Sequence, residues 1–207
     1  MMSYSKVFQR PFAALRTACA VSLMGVMLAG CGAGTNNDTY DLASVRITPP
    51  AKAAAAKRQL LIANPTALKM LDSDMVVVRV SGTEVQYLAK SQWGDKLPLM
   101  VQSKLVEAFD STGKLAGVGK PGQGLAIDYQ LISDIRTFEI DTDGGRRANV
   151  SISVKLLNDR NGTVVSQKVF SATVPVRGDV NQAMINALSQ AFGKVTSDIV
   201  TWTLATI

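Results

Sequence analysis

Residues 148–156 read ANVSISVKL and alternate without a break. Ala148, Val150, Ile152, Val154 and Leu156 fall on one side of an extended chain, and Asn149, Ser151, Ser153 and Lys155 on the other. A period of two over nine residues demands a strand in a sheet with one covered face and one wetter face. Its neighbours agree. Asn161-Gly162 is a turn signal leading into a second strand, TVVSQKVFSATVPV at 163–176, which Pro175 marks as ending or lying at an edge. Upstream, LAIDYQLISDI at 125–135 puts Leu125, Ile127, Tyr129 and Leu131 on one face, with Asp128 and Gln130 opposite. From Asp179 the period changes: Met184, Leu188, Phe192, Val195, Ile199 and Trp202 recur every three or four residues, the stripe of a long amphipathic helix. Asp179 with Gln182 reads as a capping box, and Gly193 inside the helix costs about 1 kcal/mol relative to alanine. Neither the helix nor the sheet hides its apolar side alone, so the helix should lie across the sheet.

The N-terminal half is less regular. YDLA at 40–43 begins a first strand, TPPAKAAAAKR at 48–58 is a low-complexity surface crossing, and RQLLIA at 58–63 reads as a buried strand. Pro65 opens a short turn or helix. MVVVRV at 75–80, the turn Ser81-Gly82-Thr83 and EVQYLAK at 84–90 make a hairpin with Val85 and Tyr87 on one face. Pro98 suits the first turn of a helix that buries Val101, Leu105 and Phe109 or Ala108 and stops at Gly113. The sum is one α+β domain, a mostly antiparallel sheet with helices packed on one face.

The start of the chain follows another pattern. Lys6, Arg10 and Arg16 precede a mostly apolar stretch from Ala18 to Leu28 and no acid intervenes. That layout is a secretory signal, and its apolar run is short of the roughly twenty residues that span a bilayer. It ends Leu28-Ala29-Gly30-Cys31, which resembles the bacterial lipobox. The expected cut falls between Gly30 and Cys31. The Cys31 thiol takes a diacylglyceryl group, and its freed amine takes a further acyl chain. At about 0.8 kcal/mol per buried methylene, several chains anchor stably where one does not. The divisions are then 1–30, a cleaved signal; 31–39, a lipidated end and short leash; and 40–207, the domain. Gly32 stands where an Asp commonly retains such lipoproteins at the inner membrane, which favours the outer membrane.

Composition excludes more than it selects. There is no histidine, and of two cysteines Cys19 leaves with the signal while Cys31 is blocked. No disulfide, zinc site or thiol nucleophile follows. The formal charge of +6 falls to about +3 without Lys6, Arg10 and Arg16, and the remaining basic residues are interleaved with acids, which is no nucleic-acid-binding balance. No catalytic residue, metal ligand or cofactor other than the covalent lipid is expected. Gly117-Val-Gly119-Lys-Pro-Gly122 matches the dinucleotide fingerprint literally, but a helix precedes it and a strand follows, the reverse of what pyrophosphate binding requires; residues 117–124 read as a flexible loop. Glu139, Asp141 and Asp143-Gly144 mimic the start of a calcium loop, whose closing carboxylate is replaced by Val150.

The order of elements resembles the ABC-type transport auxiliary lipoprotein family, which includes PqiC-like proteins. The segments that carry the resemblance are YDLA, VQYLAKSQWGDKLPLMVQSKLVEAF at 85–109, AIDYQLISDIRTFEI at 126–140, the hairpin from 148, and a terminal helix with Trp202. The family often has Arg before the tryptophan of the second segment; here Gln92 precedes Trp93. The resemblance implies an outer-membrane lipoprotein that serves an MCE-type lipid transporter, receiving or bracing a periplasmic conduit while ATP chemistry occurs elsewhere. It leaves a homo-oligomer open. Tyr87 and Trp93 are candidates for docking the partner, with core packing as the alternative for each. A competing function, a lipoprotein regulator of cell-wall synthesis acting by protein binding, needs a longer leash than the few polar residues after Cys31.

Overall fold

The structure, a computed structural model, describes residues 37–47, 56–124 and 126–207. The signal, Gly30, Cys31 and most of the leash lie outside the described residues, as does most of the 48–58 crossing.

Among the described residues nine strands form one sheet. They are β1 (Asp38–Tyr40), β2 (Ala56–Ile62), β3 (Thr66–Ala67), β4 (Met75–Arg79), β5 (Val85–Trp93), β6 (Leu115–Gly119), β7 (Tyr129–Asp141), β8 (Arg147–Asn158) and β9 (Val164–Pro175). Two helices accompany them, α1 (Leu97–Asp110) and α2 (Asn181–Thr206). Most of the paired length is antiparallel, in the ladders β7–β8 and β8–β9. The other flank of β7 is shared: β2 runs parallel to it at Tyr129–Leu131, β3 at Asp134–Ile135 and β4 at Glu139–Asp141. β6 then flanks β2, β5 flanks β4, and β1 lies parallel on the last residues of β5. The sheet therefore has an upper end, where β7 turns into β8 and β9 leads into α2. At its lower end β8 turns into β9 and β2 and β6 begin.

The alternation in β8 holds at every position: Ala148, Val150, Ile152, Val154 and Leu156 are buried beneath α2. The stripe of α2 meets them with Leu188, Phe192, Val195 and Ile199. α1 covers β6 and β2 and touches α2, so one core runs under both helices. Phe138 links its halves, with the Trp93 ring on one side and the Phe192 ring on the other, each centred 5.9 Å away.

Four local expectations are corrected. Pro65 opens a two-residue strand and a turn rather than a helix, because β7 offers free backbone at Asp134 and Ile135. Residues 117–119 belong to strand β6, whose backbone pairs with Gln59, Leu60 and Leu61; only the part after Gly119 is a loop. The strand expected from 125 begins at Tyr129 and runs on to Asp141. Asp179 does not cap α2: the N-cap is Val180, with no side-chain cap bond, and the Asp179 carboxylate accepts from the Arg146 guanidinium at 2.6 Å.

Candidate functional site

Tyr87 and Trp93 sit six residues apart on β5, and an unbroken strand would turn both side chains the same way. It does not. Val77 pairs with Tyr87, whereas Met75 pairs with Gln92, so β5 carries three more residues than β4 between those two pairs. An odd excess inverts the alternation. Lys90 absorbs it at φ 55°, a left-handed conformation in a non-glycine residue. Tyr87 consequently faces away from the helices and is 47% exposed. Trp93 faces the core at 2% exposure, edge-on to Phe138. Of the two docking candidates Trp93 is corrected: a ring closed off by β7 offers no surface to a partner. No glycine announces the irregularity at Lys90, so the sequence holds no signal for it.

Around Tyr87 the open face of the sheet carries Val85 on the same strand and Arg79 on β4, which pairs with Val85. The Arg79 guanidinium grips Glu139 on β7 with two hydrogen bonds, Nε to Oε1 at 2.6 Å and Nη2 to Oε2 at 2.9 Å. Glu139 is buried there on the helix-free face, while Arg79 keeps 27% of its side chain exposed. The bond to Glu139 outweighs burial, which acts the other way, and holds the Arg79 pKa above its usual value. Two neighbouring turns brace the arrangement, with the Thr142 N–H and hydroxyl both donating to the Arg79 carbonyl at 2.9 Å. This ion pair was invisible in the sequence. Glu139 reaches the open face only because β7 carries one extra residue, Arg136, between its pairs Ile135–Ile152 and Thr137–Ser151.

The acids of the calcium-like pattern make contacts within the fold. Glu139 is held by Arg79, and Asp141 accepts from the Asp143 N–H at 2.9 Å and from Arg147 at 3.1 Å. The backbone bond first, then Arg147, keeps the Asp141 carboxyl below its usual range. Among the described residues no group of three or more His, Cys, Asp and Glu is placed to hold a metal.

A cleft of about 740 Å³ opens between α1 and the loop after β6. Gln102, Lys104, Lys120 and Pro121 line it, so the glycine-rich loop does border a cavity. Two of its polar side chains are engaged within the fold. Gln102 Nε2 donates to the Ile62 carbonyl at 2.9 Å, and Lys104 Nζ donates to Asp41 at 3.0 Å. α1 precedes this loop's strand and β7 follows the loop, so the loop does not open a helix as the dinucleotide fingerprint requires.

The lower end is fastened by Asp128. Its carboxylate accepts from the Gln59 N–H at 3.0 Å and from Arg160 Nη2 at 2.8 Å, stitching β2 and the β8–β9 turn to the start of β7. These contacts, the backbone one first, hold its pKa below the ordinary carboxylate value.

Among known proteins, the sequence pattern of the family described as the ABC-type transport auxiliary lipoprotein component matches residues 40–200. A Xanthomonas campestris protein of family DUF330, solved by crystallography, superposes with a TM-score of 0.75 at 31% identity, over 82% of this chain and 96% of that one. A second crystal structure, of an uncharacterised protein, shares the fold with a TM-score of 0.66 at 17% identity, over 81% and 99% of the two chains. An uncharacterised protein of Bradyrhizobium diazoefficiens is 29% identical over 181 residues, 87% of this chain and 48% of that protein. The chain thus spans about half the length of that curated relative.

Proposed function

The chain belongs to the ABC-type transport auxiliary lipoprotein component family, and on that premise we propose that it is a non-enzymatic accessory of an ABC/MCE-type lipid transporter. In this reading acyl chains on Cys31 hold it at the periplasmic face of the outer membrane, where the domain docks or braces the conduit. The observation that carries the reading is the family match, which begins a few residues after the lipobox and continues to the last helix. The MCE assignment draws on the resemblance of residues 85–109 and 126–140 to PqiC-like proteins.

The physical task of such a chain is to fix a place and offer a contact. Among the described residues no helix is long and apolar enough to cross a membrane, so acyl chains on Cys31 would supply the anchorage. β1 would pass that anchorage to the fold, since Asp38, Thr39 and Tyr40 pair with Ser91, Gln92 and Trp93 inside the sheet. Tyr87, half-exposed beside Val85, is the aromatic side chain available to a partner.

Mass spectrometry of the N-terminal peptide should show residue 31 carrying diacylglyceryl and N-acyl groups. A bare thiol, in protein released freely when the envelope is broken, overturns the reading. Purification from detergent-solubilised membranes should recover an ABC ATPase, a permease and an MCE protein. Tyr87→Ala should lower that recovery several-fold and leave the melting transition intact. Trp93→Ala should instead lower the melting temperature.

A further inference from the structure

We propose that β9 pairs with β9 of a second copy of this chain, antiparallel and centred on Phe170, so that two copies share one sheet. The proposal goes beyond the transporter reading and leaves the Tyr87 contact as it stands. Tyr87 lies on β5, and β9 is at the far side of β7 and β8.

β9 is a long open edge of the sheet. Among the described residues β8 is its one strand partner. The Val176 N–H donates to the Arg146 carbonyl at 3.0 Å, and the next pair inward is Arg147 with Pro175. In an antiparallel ladder the direction of the backbone groups alternates. Val174, Ala172, Phe170 and Lys168 therefore turn theirs toward β8, and Thr173, Ser171, Val169 and Gln167 turn theirs outward. In keeping with this, Pro175, which has no N–H to give, takes an outward position. The outward residues are all exposed. Ser171 and Thr173 lean away from the edge: Ser171 Oγ bonds Ser151 Oγ at 2.8 Å, and Thr173 Oγ1 donates to Asn149 at 2.9 Å, both on β8. Open edges are ordinarily broken by a charge, a proline or a bulge. Here the bulge comes at Val165 and the proline at 175, the two ends of the run. The one charge between them, Lys168, lies over the Phe170 ring at 5.2 Å.

That run is its own complement. Val165 and Pro175, its limits, are equally distant from Phe170. With Phe170 opposite Phe170, Val169 meets Ser171 and Gln167 meets Thr173, in both directions. Each of these four residues gives one N–H and accepts with one C=O, so none is left open. Centring on Val169 or Ser171 instead sets Thr173 against the bulge or Gln167 against the proline. Like charges stay apart as well. Lys168 of each copy stands opposite Ala172 of the other, so the two lysines are four residues apart along the strand, about 13 Å. That exceeds the screening length of about 8 Å at physiological salt. The helices agree with the pairing. α2 leans on β8 and β9 alike, so its axis runs about midway between them. With strands about 4.8 Å apart, the dyad sets the two α2 helices side by side about 10 Å apart, a distance at which helices pack. Small residues leave room there: Ala183 and Ala187 line a groove of about 420 Å³ between α2 and Val174 on β9. A second copy fills the edge and the groove together.

Sedimentation of the full chain in nonionic detergent should show two protein copies per particle. One copy overturns the proposal, because the edge is then bare. Three or more overturn it too, because edges then meet head to tail. Ser171→Pro removes an outward N–H and costs the β8 ladder no bond. It should weaken the dimer roughly tenfold or more while the domain still melts in one transition. A dimer as tight as the wild type overturns the assignment to β9. Should that variant not fold, cysteines decide. Chains bearing Val169→Cys, mixed with chains bearing Ser171→Cys, bring the two positions to about 5.5 Å between Cα atoms, within disulfide reach. Mild oxidation should join position 169 of one chain to position 171 of the other, located by mass spectrometry of the linked peptides. Absence of that link overturns the register. Tyr87→Ala should leave the particle at two copies. If it separates them, the copies meet through β5 and the proposal is overturned.

Discussion

The two flanks of β7 are built by different rules. On one side β8 and β9 follow in sequence, pair along almost their whole length and are roofed by α2, which comes next. On the other side three separate strands, β2, β3 and β4, each hold two or three residues of β7 in parallel. The first flank is local and repetitive; the second is assembled from pieces brought together over some seventy residues of chain, each of which closes a loop for a few hydrogen bonds. Such short pairings hold because side chains on the core face, and Arg79 and Asp128 at the edges, add what the backbone ladders lack.

Truncating a ring packed against Phe138, which joins the two halves of the core, should have the largest effect. Phe192→Ala removes a fully buried ring against Phe138 and should destabilise the domain by about 4 kcal/mol, read by urea unfolding. The loss should appear in one cooperative transition. Two transitions would mean that the flanks fold separately. Next comes the pair that ties β4 to β7. Glu139→Gln leaves Arg79 without its charged partner; because Arg79 is partly solvated, the loss should be about 2 kcal/mol, less than for a fully buried pair. A double-mutant cycle with Arg79→Met measures the coupling. Asp128 ties β2 to β7 and should give a smaller, pH-dependent effect. Its folded pKa is depressed, so its contribution is present above the unfolded value near 4 and disappears as pH falls through the folded value. Asp128→Asn should lower the melting temperature at pH 7 and lessen the decline of stability on acidification below about pH 4. The smallest change is a gain. A methyl group at Gly193 would meet Val45 Cγ2 at 3.6 Å, an ordinary contact, so Gly193→Ala in α2 should stabilise by about 0.5–1 kcal/mol.

The sequence was most legible where the chain repeats itself. β8, the hairpin through Asn161-Gly162, the stripe of α2 and the start of α1 at Pro98 all stand where their periods put them. It was least legible where another segment makes the decision. β3 exists because β7 has backbone to spare beside it, and β6 because β2 needs a neighbour. The expected cap at Asp179 lost to an ion pair with a turn more than thirty residues away. For the site, exposed Tyr87 was named from its place in the hairpin. Buried Trp93 was not separable from it, and the Arg79–Glu139 pair gave no sign at all.

Taken alone, the sequence determined the class of fold, the covered face of the central strands, the family resemblance and the lipobox expectation at Cys31, because each depends on residues a few positions apart. The tertiary structure alone decided which side of the sheet a given residue occupies and which charges meet. One unannounced bulge at Lys90 and another at Arg136 reverse the alternation downstream, and parity along a strand is set by its pairing with a distant partner, which no local pattern records.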